Sequence, residues 1–233
     1  QKNDYAMIPI ENSIAGRVAD IHRLMPTSGL KIIGEFFLEI HHSLMGIEGS
    51  TLQTLSTVRS HEMALSQCRN SIKELGLEPR TSADTAGSAR EIFEINDISI
   101  GAIASPLAAK IYNLKILKNN MEDRGFNITR FLILSRDDIK LKKIEEPMIT
   151  TLVFKVKNVP SALYKALGGF ATNGVNMLKL ESYQVDGSFL ATQFYVDIEG
   201  HYQEESIKLA LEELSHYSEE VKILGAYPSK RDR

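Results

Sequence analysis

Between Ile149 and Tyr227 the apolar pattern changes period in a fixed order, and that order leaves few folds open. A β-rich run over Ile149 to Val156 gives way to helical spacing from Pro160 to Ala171. Strand patterns then cover Val175 to Gln184 and Phe189 to Ile198, with the turn pair Asp186-Gly187 between them. A second helical stretch, Glu204 to Leu214, leads to a last strand, Val221 to Tyr227. The order βαββαβ predicts an α+β ferredoxin-like unit.

Upstream the pattern differs. Tyr5 to Ile10 reads as a short strand, and Val18, Ile21, Leu24 and Met25 follow helical spacing up to Pro26 and Gly29. Ile32 to Ile47 alternates as one long half-buried strand or a bent pair. A strand at Thr57-Val58-Arg59 precedes a helix from Glu62, with Gly76 as its C′ residue. Ala83 to Ile95 is a further helix, Ile98 to Ser105 a strand ahead of Pro106 at a helix start, and Ile128 to Ser135 another strand. Strands alternating with helices predict an α/β domain with a mostly parallel sheet. The charged stretch Arg136 to Pro147, with its solvated Lys140-Leu141-Lys142-Lys143, reads as a linker.

Composition excludes several classes. The 233 residues carry a net charge of −3, so no global basic field awaits nucleic acid. No apolar run approaches the roughly 20 residues of a membrane helix. One cysteine, Cys68, cannot form an internal disulfide, which suits a reducing, cytoplasmic setting. The six His are not spaced as zinc ligands, and no metal is expected.

Polar groups gather at strand ends and helix starts. They are Glu11-Asn12-Ser13, Ser60 with Gln67, Thr81-Ser82 with Thr85, and Asn127 with Thr129-Arg130. Open α/β sheets bind ligands at the carboxyl ends of their strands. Each group also has an ordinary structural reading: Asn12, Ser13 or Ser60 as helix caps, Thr85 as a back-bonded hydroxyl, Arg130 as an exposed cation.

Their joint order is more telling. "PIENSIAG", "RSHEMALSQC", "TSADTAGSAR", "SPLAAKIY" and "NMEDRGFNITRFLIL" together resemble prephenate dehydratase, and "NVPSALYKALGGFATNGVNMLKLES" resembles the ACT regulatory domain that accompanies it. The resemblance implies a two-lobed, periplasmic-binding-protein-like dehydratase domain at 1–136, a linker at 137–147 and an ACT domain at 148–233. Lobe 1 would hold about 1–28 and 109–136, and lobe 2 about 29–108, with the polar groups lining a cleft. The family's domain normally begins with a strand and a Gly/Ser-rich turn, and this chain starts after that unit, so an open sheet edge is expected beside residues 5–10. Where many relatives read Glu-Ser-Arg-Pro, this chain has Glu181-Ser182-Tyr183-Gln184.

The reaction implied is decarboxylating dehydration of prephenate to phenylpyruvate, in L-phenylalanine biosynthesis, without a cofactor. Arogenate as substrate, or a non-catalytic amino-acid-binding protein, are the alternatives. The resemblance makes Thr129, Glu11 and Asn12 the catalytic candidates. Thr129 would face the leaving hydroxyl. Glu11 would supply the proton if burial raises its pKa, or else orient Asn12 or pair with Arg130. Ser13, Ser60, Gln67, Thr85, Arg130 and Phe131 would bind substrate, with Arg130 as a carboxylate fork unless it points away from Thr129. Asn158, Ala162, Leu163, Asn176, Glu181 and Ser182 would bind L-phenylalanine as effector, in a homodimer or homotetramer.

Overall fold

A computed structural model describes residues 3–137, 147–184 and 191–231, apart from the side chains of 19, 191 and 192. The linker residues 138–146, the Asp186-Gly187 turn and the start of the expected strand at Phe189 lie outside the described residues. In chain order the strands are β1 (Tyr5–Asn12), β2 (Gly16–Arg17), β3 (Lys31–Glu39), β4 (Ser43–Gly46), β5 (Thr57–Ser60), β6 (Glu78–Thr81), β7 (Ile100–Ala104), β8 (Lys115–Lys118), β9 (Ile128–Ser135), β10 (Met148–Val156), β11 (Met177–Gln184), β12 (Ala191–Glu199) and β13 (Ser218–Pro228). The helices are α1 (Ala19–Leu24), α2 (Glu62–Gln67), α3 (Arg69–Glu74), α4 (Thr85–Ile95), α5 (Pro106–Ile111), α6 (Ala162–Thr172) and α7 (Glu205–Tyr217). Among the described residues, no helix is long and apolar enough to cross a membrane.

The chain divides into two compact units. The first comprises Gln1–Asn12, Gly16–Leu38 and Thr129–Arg233, the second Ser13–Ala15 and Glu39–Ile128. The first unit holds two four-stranded sheets, ordered β2-β1-β9-β3 and β11-β12-β10-β13. The second sheet, with α6 and α7, has the expected βαββαβ order, and every described pairing in it is antiparallel. Its helical face closes on Leu152, Phe154, Phe170, Val196, Ile207 and Leu214.

The other face is not free. Ile149, Val153, Tyr195, Leu224 and Tyr227 share one core with Ile10, Ile32, Leu132 and Leu134 of the first sheet. The approach is closest at Gly225, where an added Cβ would lie 2.0 Å from the Ile32 carbonyl oxygen. The C-terminal sheet is therefore packed on β1, β3 and β9 rather than held apart by a linker. That is why residues 129–233 cluster with the N-terminal strands.

The second unit is built on a five-stranded sheet, β6-β5-β7-β4-β8. Pairs β5–β6 and β5–β7 are parallel, while β4–β7 and β4–β8 are antiparallel. With β1–β9 antiparallel as well, the expectation of a mostly parallel sheet is corrected to mixed sheets. The Ile32–Ile47 pattern is the bent pair: β3 lies in the first unit's sheet and β4 in the second's. The lobe boundaries move accordingly. Residues 31–38 belong with β1 and β9, and residues 109–128 belong with the second unit through β8. The helix expected from Glu62 breaks at Cys68 (φ −111°), and Gly76 follows α3 at φ +65°, as its C′ position requires.

Candidate active site

The stretch that ends β1 turns back on itself. Glu11 faces Arg17 and Asn12 faces Gly16 across the β1–β2 hairpin, and Gly16 takes φ +80°, which a side chain would resist. On its other side β1 runs antiparallel to β9, with Asn12 opposite Thr129 and Glu11 opposite Arg130. Among the described residues the β1 edge over Tyr5–Pro9, away from β9, has no strand beside it.

Side chains alternate along β9, so Thr129 and Phe131 share one face while Arg130, Leu132 and Leu134 are buried on the other. On the first face the Asn12 amide donates to Thr129 Oγ1 at 3.0 Å. That bond occupies an acceptor site on the Thr129 oxygen and leaves its own O–H to donate elsewhere. Both residues are half-buried.

Arg130 lies on the opposite face with 2% side-chain exposure. Its Nε donates to Glu35 at 2.8 Å, its Nη1 to Asp197 at 2.7 Å and Glu11 at 2.9 Å, and its Nη2 to the Tyr227 hydroxyl at 3.0 Å. Asp197 also accepts from Thr151 and Arg231. Burial alone would lower the Arg130 pKa, but Asp197, the tyrosines and Glu35 more than reverse it. The expectation that Arg130 forks a substrate carboxylate is corrected: four of its five N–H donors are spent inside the protein.

Glu11 is corrected as a proton donor. Burial pushes its carboxyl up, yet Lys179 and Arg130, through hydrogen bonds and charge, together hold it below the usual carboxylate range. It is ionised at neutral pH and pairs with Arg130, one of the roles the sequence left open.

The second unit carries its own polar groups. Ser60 has 0% exposure and donates to the Ile103 carbonyl at 2.6 Å. It therefore stitches β5 to β7 and is corrected as a substrate contact; His61, not Ser60, caps α2. Gln67 is half-buried, its carbonyl oxygen accepting from Asn127 Nδ2 at 2.9 Å and meeting His42 Nε2 at 2.9 Å. Since that oxygen needs donors, its NH₂ is left to point away from them. Gln67 borders a cavity of about 470 Å³ lined by Ile14, Ser66, Arg69, Asn70, Asp123 and Arg124 among others. Ser13 Oγ accepts from the Ile128 amide at 2.9 Å, and Ser13 N–H donates to the Ile128 carbonyl. Thr85 is the first residue of α4, half-buried, while Asp84 caps that helix through Gly87.

Of the expected effector residues, Asn158 is exposed ahead of α6 and Leu163 is half-buried against the C-terminal core. Ala162 is corrected: its side chain is buried in that core and its N–H bonds to Val159. Asn176 donates to Glu199 at 3.1 Å. Arg17 holds the other two, donating to the Ser182 carbonyl at 2.9 Å and meeting Glu181 at 3.5 Å.

The residues that sequence reasoning missed are Glu35, His42, Lys179, Asp197 and Tyr227. The signal for two of them was present. Glu35 and Asp197 are single carboxylates inside apolar strands, "KIIGEFF" and "FYVDI", where a charge stays only if it is paired.

The half-buried hydroxyl–amide pair at a strand end of a mixed α/β scaffold is a candidate site for a small-molecule enzyme. Comparison with known proteins narrows the class. The prephenate dehydratase family model matches residues 1–139. A bifunctional N-acyl-homoserine lactone acylase/prephenate dehydratase from Komagataeibacter europaeus is 50% identical over 226 residues, covering 97% of this chain and 80% of that protein. An arogenate dehydratase/prephenate dehydratase from Arabidopsis thaliana is 36% identical over 239 residues, covering 97% of this chain but only 61% of that protein. The crystal structure of prephenate dehydratase from Arthrobacter aurescens in complex with L-Phe superposes with a TM-score of 0.87, with 29% identity over 97% of this chain and 75% of that one. The chain belongs to the prephenate dehydratase family, carbon–oxygen lyases of aromatic amino acid biosynthesis.

Proposed function

We propose that the chain converts prephenate to phenylpyruvate with Thr129 as the hydroxyl that meets the departing oxygen. The Asn12-to-Thr129 hydrogen bond carries this reading. As the C–CO₂ bond breaks, its electrons enter the ring, the ring aromatises, and the C4 hydroxyl leaves with the electron pair of its C–O bond. A donor fixed before the reaction stabilises that growing negative charge without reorganising. Asn12 fixes the Thr129 oxygen, and the bond Thr129 accepts makes its own O–H a better donor. Phe131, on the same face, offers the ring an apolar contact. Ser13, Gln67 and Thr85 are the neutral groups of the second unit assigned to substrate, in the periplasmic-binding-protein-like arrangement that the family resemblance implies.

The C-terminal βαββαβ sheet is read as an ACT domain that binds L-phenylalanine through Asn158, Leu163, Asn176, Glu181 and Ser182, in a cytoplasmic homodimer or homotetramer. The L-Phe complex of the Arthrobacter relative supports the effector. Arogenate is the alternative substrate, supported by the plant relative. The 50% identical relative adds a second activity to assay, hydrolysis of N-acyl-homoserine lactones. The test follows phenylpyruvate formation from prephenate, with arogenate and an N-acyl-homoserine lactone in parallel. Turnover of prephenate or arogenate is the expected result, and none with either would leave a non-catalytic binding protein.

A further inference from the structure

We propose that Lys179 is a positioning residue for the dehydratase reaction, acting through a square of four charges that holds the Asn12–Thr129 pair from behind; the proposal rests on the reading of that pair as the reacting one. Two register pairs form the square. Glu11 is opposite Arg130 in the β1–β9 ladder, and Lys179 is opposite Asp197 in the β11–β12 ladder. The signs alternate around it. Lys179 Nζ donates to Glu11 Oε2, Arg130 Nη1 donates to Glu11 Oε1 at 2.9 Å, and Arg130 Nη1 donates to Asp197 Oδ2 at 2.7 Å.

Each pair lies beside an irregularity in its own ladder. The β1–β9 register shifts between Pro9 and Glu11, and the β11–β12 register shifts between Met177 and Lys179. Bulges re-aim side chains, and here both re-aimed pairs meet each other. Lys179 is only 10% exposed and Glu11 28%, so most of this contact is shielded from water. The next register pair along β1 and β9 is Asn12–Thr129 itself. Fixing Glu11 and Arg130 thus fixes the backbone from which Asn12 and Thr129 project on the opposite face. Arg17, on β2, ties the same strand ends to Glu181 and Ser182 two and three residues beyond Lys179. The C-terminal sheet accordingly grips all three strands that frame the polar turn.

The experiment is steady-state kinetics of Lys179→Met and Lys179→Arg on prephenate, over a pH range, beside Thr129→Val. In Lys179→Met, kcat should fall on the order of 10- to 100-fold through misplacement of the pair, with KM nearly unchanged. Lys179→Arg should recover most of kcat. Glu11 is faced by Lys179 from β11, by Arg130 from β9, by Arg17 across the hairpin and by His22 from α1. Losing Lys179 should therefore move the acid limb of the kcat profile to higher pH, which a loss of packing alone would not do. If Lys179→Met fails to fold, Glu11→Gln breaks the same charge contact at nearly constant volume and should give the same kcat loss. Wild-type kcat with an unmoved acid limb in the folded Lys179 or Glu11 variant, while Thr129→Val is impaired, overturns the square alone. Wild-type kcat in Thr129→Val overturns the site reading and the square with it.

Discussion

Replacing Arg130 by Met separates a structural cation from a substrate fork. The side chains of Arg130, Glu35 and Asp197 have 2%, 0% and 0% exposure, so water cannot take over the broken contacts. Removing one partner of a buried ion pair costs about 3–5 kcal/mol, because the other charge stays buried. The compensation left behind sets where in that range the loss falls. Asp197 keeps Thr151 and Arg231, Glu35 keeps the Lys230 amide, and Glu11, at 28% exposure, keeps Lys179. The lower end, about 3 kcal/mol, is therefore expected. At about 2–4 °C per kcal/mol for a chain of this size, the melting temperature should drop by about 6–12 °C. Calorimetry without substrate measures it, and Arg130→Lys, which keeps the charge but not the fork, should lose less. A melting temperature within about 1 °C of wild type, combined with a large rise in KM, would refute the reasoning and restore Arg130 to the substrate.

Two further outcomes follow from the structure. His22 is 1% exposed, and burial, the largest influence, holds its imidazole below the usual pKa. The unfolded chain therefore binds more protons than the folded one below about pH 6.5, and stability contributed by neutral His22 is lost as pH falls from there towards its folded pKa. The melting temperature of His22→Leu should depend less on pH than that of wild type between about pH 7 and 5; equal slopes would remove His22 from the acid response. Leu163→Arg places a charge on a residue half-buried against the C-terminal core, and isothermal calorimetry should show L-phenylalanine binding to wild type and not to the variant. Equal binding by both would place the effector elsewhere.

The sequence exposed those elements whose patterns are local. The βαββαβ order, the Gly76 terminator and Pro106 at a helix start each follow from a few neighbouring residues. The strand end carrying Asn12 and the start of β9 carrying Thr129 were legible for the same reason. Strands β6 and β8 were not, because "EPRT" and "KILK" are short, charged edge segments without a useful period. The fate of Arg130 was hidden more deeply. Alternation shows that it faces away from Thr129, but its partners Glu35, Asp197 and Tyr227 come from distant strands that only packing brings together. Ser60 misled for a similar reason: nothing local shows that the Ile103 carbonyl claims its hydroxyl.

The central claim is that this chain is a dehydratase whose Thr129 hydroxyl stabilises the departing oxygen. Single-turnover conversion of prephenate to phenylpyruvate by wild type and Thr129→Val, at equal protein concentration and with matched melting curves, tests it most directly. The variant keeps the volume and removes the donor. The rate is expected to fall on the order of 10²-fold or more, as for a lost oxyanion donor. A Thr129→Val protein that forms phenylpyruvate at the wild-type rate would contradict the account.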